Sequence, residues 1–208
     1  MAIEEIHFKE ANIILPGDRV GESGYFKAVR SELGLFQVRH SCISCPKHEE
    51  FFRSFIRDKE IKHAVEIGTF MGTATAVLAH YAWKVSTMDI RRYYQSATLW
   101  LNMGVMPQIT QYIISDHPDD KTTLLNRLDF DFAFIDGNHR DGVNLDWELT
   151  KKCGRVLFHD YFHEGTPMPD LMTDKKSFEP SPWILELVDS LPKDEVTIKE
   201  PFAYWEKR

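Results

Sequence analysis

A doubly wound α/β sheet, its strands parallel and wrapped on both faces by helices, is the fold that this 208-residue sequence predicts. Three observations lead there. Short apolar runs alternate with amphipathic stretches from His48 to Leu191, the order expected of repeated strand–helix units. The runs end in polar or acidic residues, among them Asp89, Asp116, Asp136 and Asp160, and strand carboxyl ends are where open α/β sheets bind ligands. The segment His63–Ala79, HAVEIGTFMGTATAVLA, reads as a strand, a glycine turn and the first turns of a helix.

The elements follow in order. Residues 1 to about 46 carry Gly17, Gly21, Gly24 and Gly34, which break any long helix, and are expected to be irregular. They read as an N-terminal extension or lid over a ligand opening, with residues 47–208 forming the main domain. Pro46 can open a helix, and His48–Lys59 then places Phe51, Phe52, Phe55 and Ile56 on one face. Strand Ala64–Ile67 leads through the turn to a helix over about Thr73–Tyr81. Lys84–Met88 is the second strand, Tyr93–Met103 a helix, Gln108–Ile114 the third strand and Thr122–Leu128 a helix. Phe130–Ile135 is the fourth strand, Val143–Cys153 an amphipathic helix and Arg155–Phe158 the fifth strand. Residues Tyr161–Ser181, with Gly165 and three prolines, read as a loop or lid. Trp183–Leu191 is a last helix, and Val196–Lys199 with Phe202–Glu206 close the chain as a hairpin through Pro201.

Composition narrows the class. Hydrophobic residues make up 43% of the chain, enough for the full core of one domain, and no apolar run approaches membrane-spanning length. A net charge of −7 argues against a nucleic-acid backbone as partner. The start, MAIEEIHFKE, lacks the apolar segment of a secretory signal, so the expectation is a cytoplasmic protein. Three scattered cysteines make no disulfide scaffold, and Cys42-x-x-Cys45 lacks the second pair that a zinc site would need.

The glycine turn narrows the ligand. Glu66-x-Gly68-Thr69-Phe70-x-Gly72 puts Phe70 where a dinucleotide fingerprint needs its second glycine, which disfavours approach of a pyrophosphate. Asp89 lies 21 residues beyond Gly68, the distance at which an acidic residue accepts hydrogen bonds from ribose hydroxyls. Ser115-Asp116-His117 closes the third strand, where helix capping competes with ligand contact. Asp136 and Asp160, at neighbouring strand ends, can converge on one divalent cation. His139, just past the fourth strand, is the best general base, since an unperturbed imidazole titrates at about pH 6.5.

Two segments extend this reading: Ile135-Asp136-Gly137-Asn138-His139 and Phe158-His159-Asp160-Tyr161. With Glu66–Gly72 they resemble the motifs of class I S-adenosylmethionine (SAM) methyltransferases, and in particular the "IDGxH…HDY" pattern of small-molecule O-methyltransferases. The resemblance covers residues from about 47 to 206. It implies a Rossmann-like sheet, mostly parallel, whose final strand is antiparallel. It places Glu66, Gly68, Thr69 and Gly72 around the methionine end of SAM, Asp89 on the ribose, and Asp116 and His117 beside the adenine. It also implies a metal held at Asp136, His159 and Asp160, with His139 as the base, as in macrolide-sugar O-methyltransferases. His159 departs from the pattern, since metal-dependent relatives carry a carboxylate there. Magnesium prefers oxygen ligands, so an imidazole there speaks against magnesium and leaves manganese, iron or no metal open. Amino-group methyltransferases acting on DNA carry a Pro-Pro-aromatic segment after the fourth strand, which is lacking here.

The expectation is thus a SAM-dependent O-methyltransferase acting on a small hydroxylated metabolite or sugar. A noncatalytic SAM- or nucleoside-binding module and a NAD-dependent oxidoreductase remain as alternatives. Nucleic acid and membrane are not expected partners, and homo-oligomerisation is left open.

Overall fold

In the computed structural model the apolar runs become strands of one twisted sheet. It describes residues 3–8, 46–137, 140, 142–163 and 181–208. The elements are β1 (Glu4–His7), α1 (Pro46–Ile56), β2 (Ile61–Ile67), α2 (Thr73–Tyr81), β3 (Ala82–Asp89), α3 (Tyr94–Asn102) and β4 (Ile109–Ile113). They continue with α4 (Pro118–Arg127), β5 (Phe132–Ile135), α5 (Gly142–Thr150), β6 (Arg155–Phe158), α6 (Pro182–Ser190), β7 (Val196–Lys199) and β8 (Phe202–Glu206). Among the described residues the strand order is β1-β4-β3-β2-β5-β6-β8-β7. The five strands from β4 to β6 run parallel, while β1, β8 and β7 add antiparallel partners at the two edges. Among the described residues no helix is long and apolar enough to cross a membrane.

The central strands are apolar on both faces because helices cover both. Ala64, Phe132, Phe134 and Leu157 point to one layer, where Phe52 of α1 meets Phe134 edge-on, their ring centroids 4.9 Å apart. Val65, Ile67, Met88 and Phe158 point to the other, with Trp147 of α5 and Trp205 of β8. Helix α2 is buried along Thr73–Ala79, which explains its small side chains: it lies against the sheet with no polar face turned to water.

Three elements differ from the sequence-based expectation. Glu4–His7 is not irregular: it pairs antiparallel with β4, from Glu4 opposite Ile113 to His7 opposite Thr110. Its two glutamates hide the strand in the sequence, and an edge position tolerates them. Residues 9–45, the rest of the expected extension or lid, lie outside the described residues, as do Cys42, Cys45 and 164–180 of the expected loop. Helix α4 begins at Pro118 rather than near Thr122. Proline is preorganised for a first helical turn, and Asp119 and Asp120 favour the helix N-terminus. Helix α5 stops at Thr150, and a single tighter turn over Lys151–Cys153 completes it, closed by Gly154 at φ 78°.

Chain direction reverses around β2. From there the chain steps outward through β3 to β4, then returns to place β5 on the other side of β2. The carboxyl ends of β2 and β5 therefore flank a topological switch point, where connecting loops part and leave a crevice.

Candidate active site

A cleft of about 850 Å³ opens at that switch point, above the ends of β2, β3, β4 and β5. Gly68, Asp89, Asp116, His117 and Asp136, each expected at a ligand site, line it.

The glycine turn is shaped by close packing. Gly68 has φ 100°, and a Cβ there would stand 2.2 Å from the carbonyl oxygen of Asp136. The loops after β2 and β5 thus touch where only glycine fits. Gly72 has φ 76°, and its carbonyl accepts a 2.8 Å bond from Trp100 Nε1. A Cβ at Gly72 would meet that same nitrogen at 2.6 Å, so this glycine lets α2 and α3 approach. It does not line the cleft. Phe70, also in the left-handed region at φ 42°, does, with its ring edge-on to Tyr93 at 5.2 Å.

Asp89 stands at the wall with its carboxylate already aimed. Oδ2 accepts from Phe70 N at 2.8 Å, and Oδ1 accepts from Arg91 N at 3.2 Å. Each oxygen retains a lone pair for a further donor. At the end of β4 the capping alternative is realised for His117, whose Nδ1 accepts from Asp119 N at 3.3 Å. Ser115 gives its N–H and hydroxyl to Asp120, not to Asp116, and the hydroxyl holds the Asp120 carboxyl below the usual range. Asp116 remains at the wall. Ile90, Ile114 and Leu145 add an apolar slot between these polar ends. Ile90 and Ile114 did not stand out in the sequence, because an aliphatic residue one step past a strand looks like any core residue, and Leu145 lies within the apolar pattern of α5. Lys121 also lines the cleft, anchored at 2.6 Å to the fully buried Asp146 of α5. An aspartate on the inward face of an amphipathic helix was the one trace of that pair in the sequence.

Glu66 and Thr69 lie beneath the turn, not in the cleft wall. Glu66 is fully buried. Its Oε2 accepts from Thr75 Oγ1 and, at 2.5 Å, from Thr87 Oγ1, while Oε1 has no hydrogen-bond partner among the described residues. Burial pushes its carboxyl up to about 8, against the opposing effect of the two threonines.

The three residues expected to hold a metal do converge, but on one another. His159 Nδ1 lies 2.7 Å from Asp136 Oδ1 and 2.9 Å from Asp160 Oδ1. Asp160 takes a left-handed backbone, φ 60°, as it turns toward the imidazole. Burial alone would lower the His159 pKa. The Asp160 and Asp136 carboxylates outweigh it and raise the group to about 10. Among the described residues no set of three or more His, Cys, Asp or Glu side chains is disposed around a shared cation position. The donor set therefore does not fit a divalent ion as it stands, since the ring nitrogen fills the gap between the carboxylates.

His139 lies outside the described residues. Gly137, the described residue that precedes it in the sequence, lines the cleft, as does Gly142 further along the chain. Of the residues following β6, Tyr161 is buried and donates to Asp189 Oδ1 at 3.0 Å, and His163 pairs with Glu200 Oε1 at 2.9 Å.

No protein-family model and no curated protein sequence matches this chain. Solved structures do. An O-methyltransferase from Bacillus cereus, in complex with S-adenosylhomocysteine (SAH), aligns over 94% of this chain and 94% of its own, with a TM-score of 0.62 and 16% identity. TomG from Streptomyces achromogenes, an O-methyltransferase involved in tomaymycin synthesis and solved with SAM, aligns over 95% of this chain and 93% of its own, with a TM-score of 0.60 and 16% identity. A methyltransferase from Geobacter sulfurreducens covers 94% and 91% at 0.57 and 12% identity. At such identities the likeness is one of fold, and that fold is the Rossmann-like sheet on which these class I SAM-dependent methyltransferases are built.

Proposed function

We propose that the protein is a SAM-dependent methyltransferase that methylates a hydroxyl oxygen of a small metabolite, such as a sugar or natural product. The observation that carries this reading is the cleft at the switch point. Its walls offer a carboxylate at Asp89, an apolar slot at Ile90, Ile114 and Leu145, and a tight glycine turn at Gly68. These suit the ribose, adenine and amino-acid parts of SAM in turn. Asp89 would accept from the ribose hydroxyls, Asp116 and the slot would hold the adenine, and the Gly68 turn would face the methionine part. His117, as the cap of α4, would shape that wall.

When bound, SAM supplies an electrophilic methyl on a sulfonium centre. The chain's own residues then need to align the acceptor hydroxyl, exclude water and remove one proton. We assign proton removal to His139: as the acceptor oxygen takes the methyl, its hydroxyl proton passes to the imidazole. His159 is a poorer candidate, because its Nδ1 is held between two carboxylates. No step is routed through a metal for the same reason. Dialysis against EDTA is accordingly expected to leave kcat unchanged. Loss of turnover that Mn²⁺ restores would show that His159 swings aside and the two aspartates bind the ion. A net charge of −7 supports a small acceptor over a nucleic acid.

The direct test is transfer of labelled methyl from SAM to a panel of hydroxylated metabolites. Binding is tested separately. SAM and SAH should raise the melting temperature by mass action while NAD should not. Asp89→Ala should weaken SAH binding by roughly 1–3 kcal/mol through loss of hydrogen bonds to the ligand. Stabilisation by NAD alone would overturn the assignment. Tight SAH binding without turnover on any acceptor would favour a noncatalytic binding module.

A further inference from the structure

We propose that Glu66 is a positioning residue for the cofactor turn, fixing Thr69 through Thr87 and the first turn of α2 through Thr75 without itself touching the ligand. The proposal rests on the reading that this turn receives SAM, and it concerns how the turn is held.

The geometry is a short relay. Thr87 gives its hydroxyl hydrogen to Glu66 Oε2, which leaves Thr69 to donate to Thr87 Oγ1 at 2.6 Å. Thr75, in the first turn of α2, donates to the same Oε2. One carboxyl oxygen therefore ties together the end of β2, the middle of β3, the residue after Gly68 and the start of α2. Thr69 in turn accepts from Gly72 N through its carbonyl at 2.7 Å, which closes the turn. Each threonine and Glu66 itself is fully or almost fully buried, so water cannot replace a missing partner.

Burial makes this relay sensitive to protonation. The groups facing Glu66 are Thr75 from α2, Thr87 and Asp89 from β3, and Asp136 at the end of β5. Burial is the largest influence and disfavours the charged form, both aspartates act in the same direction, and the two threonines oppose them. Among the described residues Oε1 has no donor to stabilise a negative charge. The folded-state pKa, about 8, lies above the ordinary 4.5. The stability that depends on the neutral acid is then complete below about pH 4.5 and is lost as pH rises through about 8.

The experiment measures SAH affinity and loop resonances in wild type, Glu66→Gln and Thr87→Val. Glutamine keeps an acceptor for Thr75 and Thr87 and cannot ionise. If only the neutral form holds the turn, wild-type affinity should weaken about tenfold by pH 9, since about one molecule in ten stays protonated one unit above a pKa of about 8. Glu66→Gln should bind SAH as wild type does at pH 7 and keep that affinity at pH 9. Thr87→Val, which removes both the hydrogen bond to Glu66 and the link to Thr69, should weaken binding at both pH values while the protein stays folded. In ligand-free wild type, the amide resonances of Thr69, Phe70 and Gly72 should titrate together near pH 8, and in Glu66→Gln they should not. That last readout needs no cofactor. A titrating turn in a protein that binds no SAH would refute the cofactor reading and leave the relay standing. A wild-type affinity and loop spectrum both flat from pH 7 to 9, or loss of SAH binding in a fully folded Glu66→Gln, would overturn the proposal.

Discussion

Replacement of His139 by alanine is expected to lower kcat by about 10²–10⁴-fold, the usual contribution of a general base, with little change in SAH affinity. The reason is positional. In the sequence His139 follows two residues of the cleft wall, Asp136 and Gly137, and an imidazole can take a hydroxyl proton near neutral pH. His139→Gln should fail to a similar degree, because an amide can hydrogen-bond an acceptor hydroxyl but cannot take its proton. The pH profile is an independent check. Wild-type kcat/KM should fall as pH drops through about 6.5, and both variants should lack that limb. If both variants instead keep near-normal kcat and lose thermal stability, His139 is a structural tether and another group removes the proton.

Gly68→Ala should be the most damaging single substitution at the turn. Its Cβ would be 2.2 Å from the Asp136 carbonyl oxygen, a backbone atom of the neighbouring strand end that cannot swing away. Left-handed strain at φ 100° adds to that overlap. Each effect costs about 1–3 kcal/mol, so the two together should lower the melting temperature by roughly 5–15 °C in a chain of this size. The turn must also move off the cleft wall, so SAH affinity should fall with stability. Gly72→Ala separates the two. Its Cβ would clash with the buried Trp100 at 2.6 Å, so stability should drop. Gly72 does not line the cleft, and affinity measured on the folded fraction should change less than for Gly68→Ala. A Gly68→Ala protein with wild-type melting temperature and SAH affinity would remove the close approach of the two loops from this account.

Several elements could be read straight from the residues because their causes are local. Arg155–Phe158, Val196–Lys199 and Phe202–Glu206 match their strands residue for residue, and Thr73–Tyr81 matches its helix. Each is an apolar or β-branched run bounded by glycine, proline or charge, and no distant partner is needed to recognise it. The wall residues at strand ends were equally legible. Once strands run parallel, their carboxyl ends lie along one edge, which places Asp89, Asp116 and Asp136 beside one cleft. The start of α4 lies earlier than expected because Pro118, which looks like a stop, acts as a first helical residue.

Pairings across the sheet were beyond the sequence's reach. The resemblance to methyltransferases implies a ligand contact at Glu66. Its burial under the turn follows from Thr75 and Thr87 arriving on the same face of the sheet, which depends on the register of β2 against β3. Asp136, His159 and Asp160 have the composition of a cation site, and only the folded geometry turns the imidazole into the group between the carboxylates. Periodicity and turn chemistry are properties of consecutive residues, so the chain alone settles the alternation of strands and helices and the polar edge that makes the cleft. Which of several chemically equivalent partners a buried group meets is set by crossovers and register, and these arise from packing the whole sheet at once.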